Sequence, residues 1–164
     1  MEQELFYPKS SSVSSSRILY TPSAFARTSL FHLQEVGSLR ALRPHTSRRE
    51  DLVSFLCFVV LSGSGELKYE GKTYKLAEGD CVFIDCRKAY SHSTSDDLWC
   101  LQWCHFYAPS LTVVYEKYKE RGGRPVFHPE DAASFKDLLS ELYNLASSTD
   151  FLRDMRINEK LAAL

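Results

Sequence analysis

Cys100, Cys104 and His105 are the side chains from which a zinc site would be built, since thiolates and imidazoles are the usual ligands of that ion. They lie in an apolar, strand-like run from Leu98 to Tyr107. Residues four apart on a strand are separated by about 13 Å, too far for a shared metal or a disulfide. His105 would also point to the face opposite both cysteines. That trio is structural. Ser91 and His92 are neighbours facing opposite ways, and no G-x-S-x-G turn is present, so a nucleophile–base pair is not formed there. The turn Ser62-Gly63-Ser64-Gly65 has no helix after it and cannot cradle phosphate as a P-loop does.

Enzyme chemistry is thus poorly supported, and recognition is the better use of these residues. Strand alternation places Leu101, Trp103 and His105 on one face and Cys100, Gln102 and Cys104 on the other. Tyr90 and His92 share a face of the preceding segment. Aromatic residues make up 13% of the chain, which suits a β-rich core or a pocket lined by rings.

The elements that must position these groups are mostly strands. Phe55 to Leu61 is a continuous apolar run, expected as a strand buried on both faces. Leu30 to Val36 alternates loosely, and Gly37-Ser38 is read as a break before Leu39 to Leu42. Glu66 to Tyr69 and Lys72 to Leu76 flank Glu70-Gly71 as a hairpin, and Glu78-Gly79-Asp80 is a further turn. With Cys81 to Ile84, Tyr90 to Ser95 and Leu98 to Tyr107, about eight short strands are expected, the pattern of a sandwich or barrel. After Pro109 the period changes to that of helices. One is expected over Leu111 to Glu120, one from Pro129 to Ser147, and one beginning near Asp150. The second carries an apolar stripe of Phe135, Leu138, Leu139, Leu142, Leu145 and Ala146.

The 164 residues fit one domain, and a net charge of −1 gives no drive toward nucleic acid. Arg40, Arg43, Arg48 and Arg49 cluster, but Glu50 and Asp51 follow at once, the composition of a solvated loop. No signal peptide or membrane span is legible. Five cysteines, mostly inside apolar runs, indicate buried thiols in the cytoplasm. Residues 9–16 (KSSSVSSS) are expected to be a flexible segment, within an arm that extends to Ala26.

From Val60 to Ala108 the text VLSGSGELKYEGKTYKLAEGDCVFIDCRKAYSHS, then WCLQWCHFYAP, resembles the cupin barrel of AraC-family transcription regulators. The resemblance is carried by the G-x-G turn at Gly63 and Gly65, the turn Gly79-Asp80, the aromatic/His segment, and W-x-x-F at Trp103 to Phe106. It departs where that family has Pro-Pro-Gly, here Asp85-Cys86-Arg87, and where its His-x-Tyr is reversed as Tyr90-Ser91-His92.

The resemblance implies a mainly β fold with C-terminal helices: a cupin-like β-barrel, or double-stranded β-helix, followed by an antiparallel helical dimerisation element. Residues 1–26 would be a flexible arm, 27–109 the ligand-binding barrel and 110–164 the dimerisation region. A DNA-binding helix-turn-helix domain is expected beyond Leu164. The resemblance puts the Trp103 face inward, with Tyr90, His92 and His105 as further contacts and Arg43 and His45 near the mouth. A ring set against the apolar face of a sugar, with hydrogen bonds at the rim, would recognise a carbohydrate effector. Leu138, Leu142, Leu145, Leu152 and Leu161 would form a homodimer contact. The function implied is effector sensing, without a cofactor and without catalysis. Metal-dependent cupin enzymes are the alternative, but their H-x-H pair is missing between Glu50 and Val60, leaving His92 alone. A third possibility is a dimerisation module whose barrel is filled by its own side chains.

Overall fold

The apolar run at Phe55 becomes the middle of a layered molecule. The computed structural model describes residues 12–164. The chain begins with β1 (Val13–Leu19), α1 (Ala24–Ser29), β2 (His32–Ala41) and β3 (Thr46–Arg49). It continues through β4 (Phe55–Ser62), β5 (Ser64–Tyr69), β6 (Lys72–Ala77), β7 (Cys81–Asp85), β8 (Tyr90–Thr94) and β9 (Cys100–Tyr107). The last part is α2 (Leu111–Glu120), β10 (Val126–Phe127), α3 (Ala132–Ser147) and α4 (Arg153–Ala163).

The strands form two antiparallel sheets, one ordered β1-β2-β9-β4-β7-β10 and the other β3-β8-β5-β6. Strand β4 is central in the first, so both its faces are covered, as its uninterrupted hydrophobicity requires. Phe55, Cys57 and Val59 pack under the helices, with Leu111, Tyr115, Phe135, Leu139, Ile157 and Leu161. Leu56, Phe58 and Val60 point the other way, into a second core with Leu67, Tyr69 and Leu76 of the facing sheet. A mainly β fold with C-terminal helices is therefore observed. The Glu70-Gly71 hairpin has positive φ at both residues, 49° and 75°, the geometry a tight turn between twisted strands demands.

Several local expectations differ from the structure. Gly37-Ser38 is not a break: β2 runs unbroken through both. Serines 14–16, expected to be flexible, lie in β1 and pair with β2 along its length; the part of that segment before Ser12 lies outside the described residues. Small serines suit an edge strand whose hydrogen bonds are supplied by the neighbour's backbone. The arginine-rich stretch is partly ordered as β3, paired with β8 rather than left as a loop. Helix α3 starts after Asp131, whose carboxylate accepts the Ser134 N–H at 3.0 Å, and not at Pro129.

Two of the leucines expected at a homodimer contact, Leu142 and Leu161, need correction. Leu142 (0% exposed) and Leu161 (3%) are buried in the chain's own core, because α3 and α4 lie across the sheet. Leu145 packs against the same core and Leu138 is half-buried, while Leu152 is exposed. The helices are also tied to the N-terminal segment. The Tyr20 hydroxyl donates to Asp154 Oδ1 at 2.6 Å, the Phe31 N–H donates to Asn158 Oδ1 at 2.9 Å, and the Ser16 and Tyr143 hydroxyls are 2.7 Å apart. No helix among the described residues is long and apolar enough to cross a membrane.

Candidate functional site

Between the two sheets lies a cavity of about 490 Å³, within the range of small-molecule sites. Its walls follow from strand register. Across β4, β9, β2 and β1 the paired residues Phe58, Trp103, Gly37 and Arg17 form one row, and paired residues share a face. Gly37 has no side chain to obstruct that row. A Cβ there would stand 2.9 Å from Trp103 Cη2 and 2.8 Å from Arg17 Cβ, so the indole lies across β2. Trp103 Nε1 donates to Glu35 Oε1 at 3.2 Å, and Glu35 is 3.7 Å from Arg17 Nη1. A register shift between Leu33 and Glu35 lets Gln34 and Glu35 both line the cavity.

The facing wall is built by β3 and β8. Ser47 pairs with His92 and Arg49 with Tyr90, so the alternate residues His45, Ser47 and Arg49 face the same space as the two rings. His92 sits in a nest of rings, 5.9 Å from both Phe58 and Trp99 and stacked on Tyr90 at 6.4 Å between centroids. Trp99 is fully buried behind it.

Electrostatics keep the imidazoles neutral. Burial, aided by the charge of Arg49, lowers the His105 pKa from 6.5 to about 4. Burial does the same for His92, also to about 4, reinforced by His45 and Arg49. Burial likewise lowers His45. His105 Nδ1 is satisfied by the Ser54 hydroxyl at 3.0 Å. By contrast, His45 Nδ1, His92 Nδ1 and Arg17 Nε are buried and hydrogen-bond to no protein group. Such buried atoms ordinarily find partners, so a polar ligand is the natural complement of this cavity. Neutral imidazole can donate through one nitrogen and accept through the other, which matches a hydroxyl.

Of the residues the sequence singled out, Trp103, His92, Tyr90, His105 and His45 line this one cavity. Arg43 does not: it is exposed in the connection between β2 and β3. Sequence reasoning missed Arg17, Glu35, Ser47 and Arg49. The alternation His45-x-Ser47-x-Arg49 was a usable signal, masked by the neighbouring charges of Arg48 and Glu50. Cys104 and Gln102 lie on the face opposite Trp103, as alternation predicts, and that face meets the helices: Cys104 is in the helix-side core and Gln102 donates to Ser140 Oγ at 3.0 Å. Among the described residues no three His, Cys, Asp or Glu side chains converge as metal ligands, so the residues present do not fit the metal that cupin enzymes use. All five cysteines are free, and burial pushes the Cys81 and Cys86 thiols up to about 12.

A family model described as an AraC-like ligand binding domain matches residues 36–164. No curated protein matches the chain. Among solved structures, the AraC-like transcriptional activator CuxR is similar, with a TM-score of 0.52 and 11% identity over 79% of this chain and 50% of that one. The cupin domain of Schizosaccharomyces pombe Cnp3 gives a TM-score of 0.47 and 13% identity over 70% of this chain and 74% of its own. A transcriptional regulator of the HTH_3 family from Vibrio cholerae gives 0.47 and 15%, over 58% of this chain and 51% of the regulator. This chain thus spans about half the length of either regulator, and the likeness to CuxR is one of fold.

Proposed function

The chain belongs to the family of AraC-like ligand-binding domains, and from that premise we propose that it is the effector-sensing part of a transcription regulator, with the cavity between its sheets as the effector site. The observation that carries this reading is the pair of unpartnered, buried imidazole nitrogens on His45 and His92, in a cavity that Trp103 also lines. A small hydroxylated molecule, a carbohydrate or close relative, meets both features. Its ring would lie on Trp103 and its hydroxyls on the imidazoles, with Tyr90 and His105 completing the wall.

Regulation requires the bound and free states to differ outside the cavity. Strand β1 offers that connection. Its inward residues Val13, Ser15 and Arg17 line the cavity, while Ser16 on its outer side touches Tyr143 of α3. Just beyond it, Tyr20 holds Asp154 of α4. An effector that settles β1 would therefore settle the helices as well. We place a homodimer contact on the exposed start of α4, where Phe151, Leu152 and Met155 stand in solvent, and expect control of DNA to pass through an attached DNA-binding domain. Free, buried thiols support a reducing cytoplasmic setting.

The test is a thermal-shift screen of the purified chain against mono- and disaccharides, repeated with EDTA and with divalent metals. A ligand at a hundred times its Kd adds about 2.7 kcal/mol of stability. A sugar that raises Tm in the native chain but not in Trp103→Ala supports the reading. Stabilisation by metal that EDTA removes would replace it with the metal-dependent enzyme.

A further inference from the structure

The charges around the cavity do not balance. Two guanidinium groups, Arg17 and Arg49, line it against a single carboxylate, Glu35, and no lysine or aspartate among the described lining residues. Glu35 is already engaged by the Trp103 indole N–H at 3.2 Å and by Arg17 at 3.7 Å. Arg49 has no such partner: among the described residues it meets no carboxylate within ion-pair distance, and its guanidinium gives only a 3.4 Å hydrogen bond to the Arg48 carbonyl. Arg49 is nonetheless held to this space by register, as the direct partner of Tyr90. It is exposed while lining the cavity, which places it at the mouth. Opposite it, Arg17 Nε is buried without a hydrogen-bond partner.

Resting on the reading of this cavity as the effector site, we propose that the effector is a monoanion: a hydroxylated carboxylic acid of sugar size, its carboxylate held by Arg49 at the mouth and its hydroxyls by His45 and His92 inside. A guanidinium presents a planar fork of donors that fits a carboxylate with two parallel hydrogen bonds. The net excess is one positive charge, since the three histidines are neutral at pH 7. One negative charge cancels it, whereas the two charges of a phosphate would overshoot. The unpartnered Arg17 Nε adds a donor for a second ligand oxygen.

Matched ligands test this without confounding shape. The purified chain is titrated by calorimetry with galactose, galacturonate and galactose 6-phosphate, then with the glucose counterparts and with gluconate. The expected result is that a carboxylate ligand binds at least ten times tighter than its neutral partner, and that the advantage shrinks as salt is raised. Arg49→Gln abolishes the advantage and Arg49→Lys restores part of it. Because Arg49 is exposed and packs in no core, both variants are expected to keep the native melting temperature without ligand. Equal or better binding of the neutral sugar overturns the anionic effector while leaving the sensor intact. Preference for the phosphate overturns the carboxylate assignment in the same way, as does an Arg49→Gln variant that keeps the full advantage. Failure of every probe, neutral and acidic alike, overturns the sensor reading and this inference together.

Discussion

The indole of Trp103 occupies the space that a side chain at Gly37 would need: a Cβ there would lie 2.9 Å from Trp103 Cη2 and 2.5 Å from the Ser16 carbonyl. The second of these contacts is backbone, so it cannot be relieved by a rotamer change. Gly37→Ala should therefore push β1 away from β2 and displace the ring, at a cost of about 1–3 kcal/mol. Urea unfolding of the variant measures the loss, and tryptophan fluorescence reports the ring. An unchanged spectrum with unchanged stability would show that β1 does not pack against the indole in this way.

Acid should destabilise the fold through its histidines. His92 and His105 titrate near 4 in the folded chain and near 6.5 when unfolded. As pH falls below 6.5 the unfolded state takes up protons that the folded state refuses. Stability is thus fully present above pH 6.5, declines between 6.5 and 4, and levels off below. Each histidine contributes up to about 3 kcal/mol of that decline. Burial lowers His45 and His32 in the same direction. Chemical denaturation at pH 7.5, 6 and 5 checks the decline, and His92→Asn should make the slope shallower without removing it. A slope that His92→Asn leaves unaltered would mean other groups carry the acid response.

The two tryptophans should separate stability from binding. Trp99 is fully buried between the sheets, and a Cβ on Gly65 would stand only 2.3 Å from its Cζ3. Trp99→Ala should cost about 3–5 kcal/mol. Trp103 is half-buried on the cavity wall, so Trp103→Ala should cost about 1 kcal/mol while removing effector binding. Equilibrium unfolding of both variants, paired with ligand titration of the second, distinguishes the two roles.

What the sequence made legible is what local patterning controls. Alternation in Leu98 to Tyr107 separated the Trp103 face from the Cys104 face, and the structure puts those faces on the cavity and on the helices. The apolar run at Phe55 announced a strand covered on both sides, and Glu70-Gly71 announced its turn. Pairing between distant segments was hidden. Gly37 looked like a break because its role is set by Trp103, sixty-six residues away in sequence and adjacent only through register. Arg49 looked solvated because nothing local shows that it pairs with Tyr90. Trp99 drew no notice because its importance comes from close approach to Gly65, a contact made only when the second sheet folds over the first.

The helices pose the same problem for assembly, since one apolar stripe can serve the chain itself or a second copy. Leu142 and Leu161 serve the chain: Leu142→Ala should cost about 2–5 kcal/mol of unfolding free energy and act on assembly only through folding. Phe151 is 90% exposed and Met155 50%, so removing their apolar surface takes nothing from the core. The double variant Phe151→Asp with Met155→Asp should keep the melting temperature within a few degrees. If α4 forms the homodimer contact, sedimentation velocity over a hundredfold concentration range will show the native chain as a dimer and this variant as a monomer. A variant that remains dimeric moves the contact elsewhere, and a native chain that is monomeric throughout removes the homodimer from the proposal. In either case the Leu142→Ala result is unaffected, because it depends only on the core beneath α3.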